Sequence, residues 1–239
     1  MNALCGRYGM RGVELRTAGE TDYSSYGALK IIDVASSICL FGYDEEKLED
    51  IKRELKKIEK AKIKAVRVFL GNFRRRFDAP AKEISYDGIV RMLGEMCDCS
   101  ATEIWVETHN EFATGKTLKK LMEDVGRKNI KIIWDVMHPF EDGETPEETF
   151  EYIGEYIAHV HIKDGKKRED PIWHDFEYTP LGEGEVPVKE IVSLLEENGY
   201  GGYYSLEWES MWRDELKKLD WTADEILEKY KAFMDGING

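Results

Sequence analysis

Glu103-Ile104-Trp105-Val106-Glu107, Ile130-Lys131-Ile132-Ile133-Trp134-Asp135 and Ile157-Ala158-His159-Val160-His161-Ile162 follow one another along the chain. Each is a short, nearly continuous apolar run, the pattern of a strand buried on both faces. Between the first two lies a helical repeat, Lys116 to Arg127, with Leu118, Leu121, Met122 and Val125 on one face. Between the second and third, Thr145-Pro146-Glu147-Glu148 forms a capping box with Pro at the first helical position, and Phe150 and Ile153 continue it. Strand alternating with helix implies a parallel sheet with right-handed crossovers.

Working outward, the same alternation covers the rest of the chain. Apolar runs at Gly12 to Leu15, Leu29 to Leu40, Ala65 to Leu70 and Tyr203 to Leu206 read as further strands. Asp44 opens a helix with Leu48, Ile51, Leu55 and Ile58 on one face, and Ser85 opens another with Ile89, Leu93 and Met96. Pro187 starts a helix through Ile191, Leu194 and Leu195 that stops at Gly199, and Thr222 with Glu225 caps the last one. The absence of any composition break predicts one domain over 1–239. A doubly wound open sheet is the competing architecture, but no Gly-rich phosphate turn follows an early strand. The expected fold is therefore a (β/α)8 TIM barrel, one strand short of the count in full. Met1 to Met10 reads as the end of a helix, and Thr17 to Gly27 is too short and polar for a covering helix. We expect a barrel lacking or shortened at its first strand and helix and open on that side.

Six Trp, twelve Tyr and nine Phe among 239 residues, 42% of them hydrophobic, supply a large core. The net charge of −14 argues against nucleic acid, whose phosphates need Lys and Arg, and against anionic membranes. Four cysteines are too few for a disulfide scaffold, and Cys97-Asp98-Cys99 has no second Cys/His pair at zinc-site spacing. No signal peptide or membrane-length apolar run is evident, so a cytoplasmic location is expected. An open barrel flank would favour a homodimer.

Active residues of parallel barrels lie at the C-terminal ends of strands. Four consecutive predicted strands end in Glu107, Asp135, His161 and Glu207. Any one carboxylate or His there is ordinarily solvated or structural; the conjunction carries the weight. Half a barrel would aim all four at one point, a ligand set suited to one divalent cation such as Mn²⁺, Mg²⁺, Co²⁺ or Zn²⁺. His159 shares a face with His161 but lies deeper in the strand. His109 and His138 follow the ligand strands and are candidates for substrate contact, as is Lys163. Trp173 and Trp208 are placed to pack on a sugar face, with His174 beside Trp173; Trp105 and Trp134 read better as core. Lys163, Lys166, Lys167 and Arg168 form a basic run that reads mainly as a solvated loop.

Gly12-Val13-Glu14-Leu15-Arg16, Val106-Glu107-Thr108-His109-Asn110, Asp135-Val136-Met137-His138, His159-Val160-His161-Ile162-Lys163-Asp164, Leu181-Gly182-Glu183-Gly184 and Ser205-Leu206-Glu207 occur in this order. Together they resemble the xylose isomerase-like barrels, which include sugar-phosphate isomerases and epimerases, ketose 3-epimerases, inosose dehydratases and the endonuclease IV group. The resemblance implies metal ligands at Glu107, Asp135, His161 and Glu207 and a substrate-contacting His138. Two departures stand out: Ala113 where ketose 3-epimerases carry a second Glu, and Lys167 where they carry Arg. The early strands also lack the extra His ligands of the endonuclease branch.

The expected function is that of a metal-dependent sugar or sugar-phosphate isomerase/epimerase acting through an enediolate. Glu107 and Glu207 would be its acid/base pair, and a small sugar or polyol its substrate. An inosose-type dehydratase, a phosphoester hydrolase and a non-catalytic sugar-binding barrel are the alternatives.

Overall fold

The computed structural model describes residues 2–16, 29–73, 80–170, 172 and 175–237. A short helix, α1 (Asn2–Arg7), precedes strand β1 (Gly12–Leu15), then β2 (Lys30–Val34) and β3 (Cys39–Leu40). The expected single strand over Leu29 to Leu40 is thus two, broken at 35–38. There Ser36 turns its hydroxyl onto the Arg67 carbonyl (2.5 Å). Then follow α2 (Glu45–Lys60), β4 (Ala65–Leu70), α3 (Tyr86–Asp98), β5 (Glu103–Glu107), α4 (Gly115–Val125) and β6 (Ile130–Asp135). The chain continues through α5 (Met137–Glu141), α6 (Pro146–Ile153), β7 (Ile157–Ile162), β8 (Asp164–Lys166) and β9 (Glu177–Thr179). It ends with α7 (Val188–Glu197), β10 (Tyr204–Leu206), α8 (Asp214–Lys217) and α9 (Ala223–Asp235). Thr17 to Gly27 lies outside the described residues.

The helices begin where their caps dictate. Asp44 Oδ1 accepts the Lys47 amide (3.0 Å), Ser85 Oγ that of Gly88 (3.2 Å) and Thr114 Oγ1 that of Thr117 (3.3 Å). Thr145 with Glu148 and Thr222 with Glu225 form complete capping boxes. Each satisfies amides that the first helical turn cannot. Leu48, Ile51, Leu55 and Ile58 of α2 are all buried at helical spacing. Each such side chain contributes about 1.5–3 kcal/mol of burial, which fixes the helix against the sheet.

The sheet runs β1-β2-β4-β5-β6-β7-β10, every neighbouring pair parallel, with β3 added beside β4. This is a nearly closed seven-strand barrel with helices outside it. Among the described residues β1 and β10 share no backbone ladder, so the barrel is open where the eighth strand would stand. Burial follows the topology. The β4 strand is buried at every residue, whereas β10 is half-buried throughout. Side chains bridge the seam instead: Lys30 Nζ donates to the Tyr203 hydroxyl (2.9 Å), and Arg11 lies over the Tyr203 ring.

The two-residue strand period sorts side chains into an inner and an outer set. The outer set forms the main core against the helices. Inside, Ile32, Ala65, Trp105 and Ile133 form a separate apolar plug. Trp105 and Trp134 are both core residues, 1% exposed. Two residues nearer the mouth than Ala65, Trp105 and Ile133 stand Arg67, Glu107 and Asp135. The plug is thus the floor of a polar layer.

The antiparallel pair β8 and β9 was not expected from sequence. Its first residue, Asp164, accepts four backbone amides: Gly165 (2.8 Å), Gly182 (2.9 Å), Gly184 (3.0 Å) and Val186 (3.1 Å). The His159–Asp164 and Leu181–Gly184 motifs are therefore one structural unit. A Cβ on Gly184 would lie 2.6 Å from the Gly165 nitrogen and run into the Asp164 carboxylate. Gly184→Ala is expected to cost roughly 2–3 kcal/mol, since bonds to a charged acceptor are lost; urea unfolding checks this. No helix of the described residues is long and apolar enough to cross a membrane.

Candidate metal centre

Glu107, Asp135, His161 and Glu207 come together. One ligand atom from each lies within 4.8 Å of all the others. Register explains how. Asp135 pairs with His161 and His161 with Ser205, while Glu107 pairs with Ile133, two residues short of Asp135. The four are therefore staggered along the barrel axis rather than level, and side-chain length closes the difference. Thr108 fastens the mouth: its hydroxyl donates to the Asp135 carbonyl (3.0 Å) and accepts the Asp135 amide (2.9 Å). The Met137 amide holds Asp135 Oδ1 (3.0 Å), leaving Oδ2 toward the cluster.

The protein supplies two cations of its own. Arg67 Nη1 lies 3.0 Å from Glu107 Oε2 and 3.6 Å from Glu207 Oε1. Lys163 Nζ lies 2.6 Å from Asp135 Oδ2, 2.7 Å from Glu207 Oε2 and 3.4 Å from Glu209. Both are buried. Burial would lower the Lys163 pKa, but Asp135, Glu207 and Glu209 hold it well above the usual lysine value. Burial raises Glu107 and raises Asp135 strongly. Glu207 is only partly buried, and although burial would raise it too, Lys163, His161 and Arg67 keep it well below the usual carboxylate range. Within one cluster, then, Glu207 is the carboxylate held most firmly ionised.

A divalent cation fits this cluster. The buried His161 Nδ1 has no hydrogen-bond partner and stands 3.6 Å from Glu107 Oε2 and 3.8 Å from Glu207 Oε2. Three carboxylates and one unpartnered imidazole nitrogen around a common point are the donor set of an oxygen-preferring ion that tolerates nitrogen. Two other triads satisfy the same spacing, Glu107 with His109 and His138, and Glu14 with His159 and His161. Each has one carboxylate against three in the first group.

A cavity of about 380 Å³ opens over the cluster, lined by Glu107, Glu207, His109, His138, Arg67 and Trp212 among others. His138 lies in the first turn of α5, and its Nδ1 meets Glu141 Oε2 at 2.8 Å. Its Nε2 is unpartnered, 3.7 Å from Asp135 Oδ2. The His109 ring lies 4.3 Å from that of His138 and also packs on Phe69 and Phe73. Burial, first of all, pushes both imidazoles well below the usual histidine pKa, so they face the cavity neutral.

The remaining sequence candidates divide. Lys163 is not on the wall of this cavity; its ammonium is engaged by Asp135 and Glu207. Trp173 and His174 lie outside the described residues. Trp208 stacks on Trp221 (5.4 Å). Lys166 and Lys167 are exposed, and Arg168 pairs with Asp175 and Glu215. Sequence reasoning passed over Arg67, Glu14 and Glu141. An arginine inside the otherwise apolar run Ala65–Leu70 is a signal, because a buried charge needs a partner.

The profile of the xylose isomerase-like TIM barrel family matches residues 4–229. Fructoselysine 3-epimerase of Escherichia coli O157:H7 is 28% identical over 100 residues, 42% of this chain and 33% of that protein. The 3-dehydroshikimate dehydratase of Bacillus anthracis is 25% identical over 181 residues, 66% of this chain and 63% of that protein. The chain thus spans less than two thirds of the length of these curated relatives. Among solved structures, the IOLI protein with a bound zinc atom superposes with a TM-score of 0.76 at 21% identity, over 99% of this chain and 91% of that one. On the extent of the family match and the shared barrel, the chain belongs to the xylose isomerase-like TIM barrel family.

Proposed function

We propose that the protein is a divalent-metal-dependent isomerase or epimerase that moves a proton on carbon next to a carbonyl of a small sugar or polyol. The observation that carries this reading is the meeting of Glu107, Asp135, His161 and Glu207 within 4.8 Å at the floor of a cavity. These four residues would hold the ion, which when bound supplies Lewis-acid polarisation of a carbonyl. The zinc in the IOLI structure and the epimerase relative support the same reading.

The chain's own groups then have distinct tasks. Glu207, kept ionised by Lys163 and Arg67, takes the proton from carbon. Glu107, across the cluster from Glu207, is the second carboxylate of the pair and exchanges a proton with the opposite face or with the neighbouring carbon. Arg67 touches both carboxylates and limits their repulsion as the charge shifts between them. His138, oriented through Nδ1 by Glu141, presents Nε2 to a substrate hydroxyl, with His109 beside it.

A dehydratase is the second reading. Ala113 lines the cavity at the position where ketose 3-epimerases carry a second Glu, so that sugar contact is missing. The Bacillus anthracis relative supports it. One experiment separates the two. Protein loaded with Mn²⁺ is incubated in D2O with a panel of ketoses and β-hydroxy ketones and followed by NMR. Deuterium at the carbon beside the carbonyl with the hydroxyls retained marks an epimerase or isomerase. Loss of a hydroxyl with a new conjugated double bond marks a dehydratase. Neither change across the panel would sink both.

A further inference from the structure

His161 uses both ring nitrogens. Its Nδ1 looks into the carboxylate cluster, unpartnered. Its Nε2 lies 2.9 Å from Oε2 of Glu14, on β1, the strand across the open seam. The other oxygen of the same carboxylate, Oε1, lies 3.1 Å from Nε2 of His159, two residues earlier on β7. His159 Nε2 is also 2.9 Å from the Ser205 hydroxyl, and its ring stacks on Trp105. Glu14 thus spans two imidazoles, one oxygen to each.

A carboxylate only accepts hydrogen bonds. At 2.9 Å, Glu14 Oε2 therefore keeps a proton on His161 Nε2, so Nδ1 is the nitrogen left to bind an ion. Without that acceptor, the Nδ1–H tautomer would point a proton at the place where a cation belongs, and the ring would be free to turn. The outer nitrogen of a metal-binding histidine generally needs such a partner.

We propose that Glu14 is a positioning residue for the cation site: it sets the tautomer and orientation of His161 so that Nδ1 can bind a divalent ion. The inference rests on the reading of Glu107, Asp135, His161 and Glu207 as ligands. Glu14 does not line the cavity over the cluster. It lines a second, smaller cavity of about 230 Å³, together with His161, Glu207, Arg67 and Arg16. A purely structural role is the rival, since Glu14 also ties β1 to β7 across the seam. His159 separates the two. It shares the seam contact but presents no nitrogen to the cluster.

The test is calorimetric titration of chelator-treated protein with MnCl2, for the unaltered chain, Glu14→Leu and His159→Phe, with thermal melts of each. Leu is close to Glu in size and offers neither imidazole an acceptor, whereas Gln could still give its one oxygen to His161. The unaltered chain is expected to bind one ion. Glu14→Leu is expected to bind it about 10–100-fold more weakly, and His159→Phe within about threefold, whatever each does to the melting temperature. ¹⁵N NMR of the Zn²⁺-loaded proteins should show His161 protonated at Nε2 in the unaltered chain and in His159→Phe. Equal affinity of Glu14→Leu and the unaltered chain would overturn the inference alone. So would equal weakening by both variants in step with lost stability, which is the structural role. Two ions in the unaltered chain and one in Glu14→Leu would make Glu14 a ligand and overturn it too. No ion bound by the unaltered chain would overturn the cation-site reading itself and the inference with it.

Discussion

Glu207→Gln is expected to lower turnover by about 10²–10⁴-fold, the range lost when a positioned acid or base is removed. The substitution keeps volume and one oxygen, so the fold should persist. What it removes is charge. Lys163 at 2.7 Å and Arg67 at 3.6 Å are arranged around a carboxylate that stays ionised, and an amide neither attracts them nor accepts a proton from carbon. Glu107→Gln is expected to act as strongly, because it leaves Arg67, itself 3% exposed, with a buried charge whose nearest partner has gone. Chelation should abolish activity in the unaltered chain and readdition of Mn²⁺ restore it. Solvent-deuterium exchange into whichever ketone the NMR screen identifies provides the measurement. Exchange at the original rate by metal-saturated Glu207→Gln would remove Glu207 from the proton path.

What the sequence revealed and what it hid follow from how each feature is encoded. The buried strands β5, β6 and β7 are legible because a strand covered on both faces has no polar alternation to confuse it. The four cluster residues are legible because each lies within one residue of the C-terminal end of an apolar strand. The open seam is legible as a strand missing from the count. By contrast, the break at 35–38 is invisible in the apolar run around it, since Ala35-Ser36-Ser37-Ile38 differs little in hydropathy from a strand end. Asp164–Lys166 reads as part of a charged loop because its stability comes from four amides donated by residues 165–186, a tertiary cause without local pattern. Glu14 and Glu141 are hidden for a related reason. Each matters through one nitrogen of one histidine, 147 and 3 residues away respectively, and only coordinates say which nitrogen.

The largest effect on stability is expected from Lys163→Met in the metal-free protein. Its ammonium is surrounded by Asp135, Glu207 and Glu209, and it is 2% exposed. Removing one partner of a buried ion network leaves the others uncompensated and typically costs about 3–5 kcal/mol. At about 2–4 °C per kcal/mol for a chain of this size, the melting temperature should fall by roughly 6–20 °C. A carboxylate cluster that has lost its internal cation should then hold an added one more tightly, because Lys163 both competes for the Asp135 and Glu207 oxygens and repels a second positive charge. Ligand binding to the native state alone adds about 2.7 kcal/mol at a hundredfold excess over Kd. A lower Kd raises that figure at the same metal concentration. Melts of chelated and Mn²⁺-saturated protein should therefore show a larger metal-induced gain for Lys163→Met than for the unaltered chain. If chelated Lys163→Met melts with the unaltered chain, the ammonium is not what balances these carboxylates. If the metal-induced gain is the same in both, the added ion does not bind at the oxygens Lys163 contacts.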